Sequence, residues 1–150
     1  MATRTQAFAS ATPWHLWLVG VLGLLWNGFG GYDYWMSQTA GEAYLRSMGM
    51  TEPQIVYFNA MPAWMTAVWA TGVWGAVAAT VLLLLRSRWA VEVFAVSLVA
   101  LLLSLVYTYL LSNGSEVFGT PAVMMNLVIT AAAIFFLYYA AMMRRKGVLR

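Results

Sequence analysis

The side chains able to do chemistry are few, and their spacing rules out most of what remains. Cysteine is absent, histidine occurs once, at His15, and only 13 of the 150 residues are charged. Thiolate nucleophiles, disulfides, iron–sulfur clusters and multi-histidine metal sites therefore cannot be built from one chain. His15, Asp33 and a serine are the ingredients of a hydrolytic triad, but on a continuous helix the first two lie about 27 Å apart. A non-enzymatic protein with no cofactor is the expectation.

The polar groups that remain matter because of where they fall. Asn27 sits near the middle of an apolar stretch, where an unpaired amide costs on the order of a few kcal/mol. Its expected partner is Trp74 or a hydroxyl such as Ser104. Trp26 and Trp74 lie similarly deep, and a polar cluster of Asn27, Trp26, Trp74, Ser104 and Asn126 is predicted, acting as a helix-to-helix clamp or as ligand contacts. Asp33 lies near the end of the same stretch, where a helix dipole disfavours an anion. An external ion pair between Asp33 and Arg46 is the expected compensation. Seven of the ten methionines, including Met48, Met50, Met61 and Met65, map to one side of the chain, and soft thioethers select Cu(I). Methionine is also a routine gap filler.

The elements that must position these groups follow from the charges. Charge-free runs span residues 5–32, 53–85, 93–115 and 117–143. Each exceeds the roughly 20 residues that a helix needs to cross a bilayer. The predicted fold is all-α: one integral-membrane four-helix bundle over residues 1–150, with helices at about 14–36, 62–85, 89–111 and 120–143. The loop 37–61 is expected outside, and Thr51-Glu-Pro-Gln54 has the spacing of a capping box for a short surface helix. Arg4, Arg86, Arg88 and the basic tail 144–150 oppose a single external cation, Arg46, so both termini are expected in the cytoplasm. The net charge of +3 is thus read as a topology signal, and nucleic acid is not an expected partner.

Stripes of small and weakly polar residues run along each helix: Gly20, Gly23, Asn27 and Gly31; Gly72, Ala76 and Thr80; Ser97 and Ser104; Asn126, Thr130 and Ala133. Such stripes let helices approach closely in lipid. The chain also resembles a group of short proteobacterial inner-membrane proteins. The likeness is carried by Pro13-Trp-His-Leu-Trp-Leu-Val-Gly-Val-Leu-Gly-Leu-Leu-Trp-Asn27, Asp33-Tyr34, Met61-Pro-Ala-Trp64 and Leu82-Leu-Leu-Leu-Arg-Ser-Arg-Trp-Ala90. Members of that group often carry the label sugar transporter, and the resemblance implies a multi-pass inner-membrane location without assigning any residue a role. The leading expectation is a protein that works by helix–helix association, with copies of itself or as a small accessory subunit of a membrane complex. Small-solute passage through an oligomer, of sugars for example, is the alternative, and Cu(I) binding on the external face a second.

Overall fold

The structure is a computed structural model that describes residues 10–150. Arg4, one of the cations behind the expected topology, lies outside the described residues. Of the described residues 82% are helical and none is in a strand. Six helices follow one another: α1 (Trp14–Thr39), α2 (Glu42–Ser47), α3 (Glu52–Asn59), α4 (Ala63–Leu84), α5 (Ala90–Val106, extended by a π-helical turn Tyr107–Leu111) and α6 (Gly114–Arg145). Three of them, α4, α5 with its π turn, and α6, are long and apolar enough to cross a membrane. Four spans were expected. The 26 residues of α1 are sufficient in length, but His15, Asn27, Asp33 and its many glycines and aromatics dilute its apolar character.

The helices pack in the order α1, α4, α5, α6. Contact between α1 and α4 depends on small residues. A Cβ added at Gly23 would come within 2.7 Å of the Phe136 ring and 3.3 Å of the Thr80 methyl, so only glycine allows this approach. Between α4 and α5, Ser97 donates to the carbonyl of Gly72 at 2.6 Å. Phe94 of α5 stacks on Phe136 of α6. The largest buried cluster lies where the α4–α5 turn, the start of α1 and the end of α6 meet, around Leu16, Leu83, Phe94, Phe136, Tyr139 and Met143. We call this the tail end. It also buries Val148 and Leu149, which follow the last helix.

The opposite, loop end is built differently. Tyr44, Leu45 and Ile55 form a small separate cluster with Met36, Met50 and Phe58 against it. The α3 capping box is formed, with the Thr51 N–H donating to Gln54 Oε1 at 3.1 Å. The residue pattern carried no sign of α2, six residues that follow a turn at Gly41. Nor did it reveal that α6 starts before residue 120. Its first turn, from Gly114, is joined to the long segment across Gly119, whose φ of 65° and ψ of −165° suit glycine alone. Pro121 then sits in the first turn of the long segment, where its missing N–H costs nothing.

Candidate functional site

Of the five residues of the predicted polar cluster, Asn27, Trp74, Ser104 and Asn126 each lie against a different partner. Asn27 Nδ2 donates to Thr80 Oγ1 at 2.9 Å, and Thr80 Oγ1 donates in turn to the Ala76 carbonyl, which leaves its lone pair for the amide. The partner is therefore neither Trp74 nor Ser104. The antiparallel register of α1 and α4 is the reason: Trp74 falls opposite Gly31, about one turn beyond Asn27, and lies edge-on to Tyr34. Ser104 Oγ donates within its own helix to Ala100. Asn126 Nδ2 donates to the Tyr109 hydroxyl at 2.7 Å, tying α6 to the π turn of α5. Trp26 is half exposed on α1. The signal for Thr80 was present in the Gly72-Ala76-Thr80 stripe; what was missing was the register.

Asp33 and Arg46 do not form the expected pair. Asp33 Oδ1 accepts from the Tyr44 hydroxyl at 2.8 Å, while Arg46 bridges Glu42 at 3.2 Å and Glu52 at 2.9 Å. Helical geometry explains the exchange. Tyr44 and Arg46 are two residues apart on α2, roughly 200° around the axis, so they cannot face the same side. The buried face takes Tyr44 and the exposed face takes the arginine. Burial, and then the bond to Asp33, pushes the Tyr44 hydroxyl up to about 12.

The methionines occupy unlike surroundings. Met36 and Met50 pack on the Tyr44 cluster and Met65 is buried, while Met48, Met124 and Met125 are exposed. Shallow depressions mark the surface between helices. One of ≈290 Å³ lies on the α4–α5 face and is lined by Val68, Thr71 and Val99 among others. Another, of ≈580 Å³, lies between α3 and the π turn, beside Tyr57, Tyr107 and Ser112.

What stands out at mid-helix is a pair of indoles. Trp26 is the thirteenth of 26 residues in α1, Trp74 the twelfth of 22 in α4, and both are 44% exposed. An indole N–H is a donor only. Among the described residues, the side-chain hydrogen bonds that join helices at this level engage Asn27, Ser97 and Asn126 and neither indole.

Fold and site together define an all-α protein with three helices apt to cross a membrane and with interhelical polar clamps at Asn27–Thr80 and Asn126–Tyr109. No protein family, curated protein or solved structure matches the chain.

Proposed function

We propose that the protein is a non-enzymatic, four-span inner-membrane protein that acts by lateral helix–helix association, either as a homo-oligomer or as a small accessory subunit. Counting α1 as the fourth span is supported by its packing along α4 from Gly20 beside Leu84 to Tyr34 beside Trp69. If α4 crosses the bilayer, a helix lying along it does so too. Both termini then lie on one side, and the arginine-rich side is the cytoplasmic one.

The observation that carries the association reading is the half-exposed indole pair. In hydrocarbon no water is at hand to accept from an N–H, and an unsatisfied polar group there is costly. A neighbouring helix can supply the acceptor. The scant burial of α6 adds to this, since it buries the smallest share of its apolar stretch among the three long helices. The same two donors also favour a second reading, solute passage through an oligomer, in which a hydroxyl-bearing solute accepts from them.

The test replaces both indoles while keeping aromatic bulk. In native-membrane nanodiscs the wild-type chain is expected as an oligomer or with a partner subunit, and the Trp26→Phe/Trp74→Phe variant is expected to associate about tenfold more weakly. A chain that is monomeric in native membranes overturns the association reading. Vesicle uptake that survives in the double variant overturns the solute reading.

A further inference from the structure

We propose that the tail end is a binding surface for an anionic phospholipid headgroup carrying more than one phosphate, of the diphosphatidylglycerol class. This rests on the chain being membrane-embedded and is independent of lateral association.

Six cations far apart in the sequence converge there. Arg86 and Arg88 flank the α4–α5 turn, Arg144, Arg145 and Lys146 end α6, and Arg150 follows. The last segment is latched into place. Gly147, at a φ of 72°, turns the chain back, and Val148 and Leu149 enter the core with 4% and 5% exposure. The Arg150 N–H donates to the Arg86 carbonyl at 2.8 Å, and the Arg88 N–H donates to the Arg150 carbonyl at 3.0 Å. A basic tail serving only to orient the chain would need neither the buried pair nor this reciprocal backbone exchange. The latch places the Arg150 backbone beside that of the turn carrying Arg86 and Arg88 and holds these positions in register.

The array is short of counter-charge. The chain has five side-chain carboxylates, and residues 1–9 contain none. Asp33 bonds to Tyr44, Glu42 and Glu52 pair with Arg46, and Glu116 lies in the first turn of α6 at the other end. Among the described residues, only the Glu92 side chain pairs with a tail-end cation, Arg144. All six cationic residues are exposed, and guanidinium forks match phosphate oxygens two at a time. Exposed Trp14, Trp17, Trp89 and Tyr138 surround the same end. Indole and phenol rings of this kind prefer the headgroup level, which places the cations among phosphates that are fixed to lipid rather than free in water.

The experiment measures lipid retention by native mass spectrometry and thermal unfolding, using the full chain in neutral detergent. The probes are diphosphatidylglycerol, phosphatidylcholine and inorganic phosphate. Diphosphatidylglycerol is expected to stay bound and to raise the unfolding temperature, with no shift from the other two. The Arg145→Gln/Lys146→Gln/Arg150→Gln variant alters exposed side chains only, so it should unfold as the wild type does without lipid and bind the lipid about a hundredfold more weakly. Equal retention of phosphatidylcholine, an equal shift from inorganic phosphate, or unchanged lipid binding by the triple variant would each overturn the proposal.

Discussion

The two ends of this bundle are held together by different physics. At the tail end, four helices and the final residues close around a packed apolar cluster of Leu16, Leu83, Phe136 and Met143, with polar contacts such as the Arg86–Arg150–Arg88 latch and the Glu92–Arg144 pair at its rim. At the loop end the contacts are single and specific. Asp33 meets Tyr44, Tyr57 meets Ser112 at 2.7 Å, Asn126 meets Tyr109, and Tyr34 and Phe58 set their rings against Trp69. A packed cluster is all-or-none, because each side chain depends on the shape of several others. Separate hydrogen bonds and edge-on rings yield one at a time. The contrast places rigidity at the tail end and leaves the loop end as the part more able to adjust.

The comparison can be broken by substitutions graded across it. The largest effect is expected from Leu83→Ala, which empties a fully buried position at the tail end. It should cost about 2–5 kcal/mol in thermal or denaturant unfolding, through lost packing around the cavity. A loss within error would mean that the tail end is not the rigid half. Next is Tyr44→Phe, which leaves the half-buried Asp33 without its donor and should cost about 1–2 kcal/mol.

The same substitution carries a pH signature. The Tyr44 hydroxyl stands at about 12 against an ordinary 10.0, so the folded protein holds this proton more tightly than the unfolded chain does. Its stabilising contribution is complete below about pH 10 and is lost as the pH rises through about 12. Alkaline unfolding followed from pH 9 upward should be steeper in the wild type than in Tyr44→Phe; parallel curves would remove Tyr44 from the account. The smallest effect is expected for Asn27 and Thr80. A double-mutant cycle with Asn27→Leu and Thr80→Val should return a coupling of about 0.6 kcal/mol, the usual size of an interhelical hydrogen bond in a membrane. A coupling of zero would show that the clamp contributes nothing measurable.

Helix content and the three apolar spans were legible because both depend on composition over long windows. The α3 cap was legible because four adjacent residues encode it. The partner of Asn27 was not, since a small slip in interhelical register exchanges Trp74 for Thr80 while leaving every stripe intact. The Asp33–Arg46 pairing failed for a related reason. Charge alone nominated Arg46, whereas the turn at Gly41 and the rotation of α2 decided which side chain turned inward. Val148 and Leu149 were a signal passed over: two apolar residues flanked by Lys146 and Arg150 are poorly suited to a solvated tail, and the core takes them up.

The sequence by itself determined the helical character of this protein and its three helices long and apolar enough to cross a membrane. Each is a property of residue types and of spacing along one chain. Only the tertiary structure decided which polar group meets which, that the final residues fold back as a latch, and that six cations share one end where, among the described residues, Glu92 is the one side-chain carboxylate paired with them. Those outcomes turn on distances of a few ångströms between segments dozens of residues apart, set by how side chains of particular shape interlock.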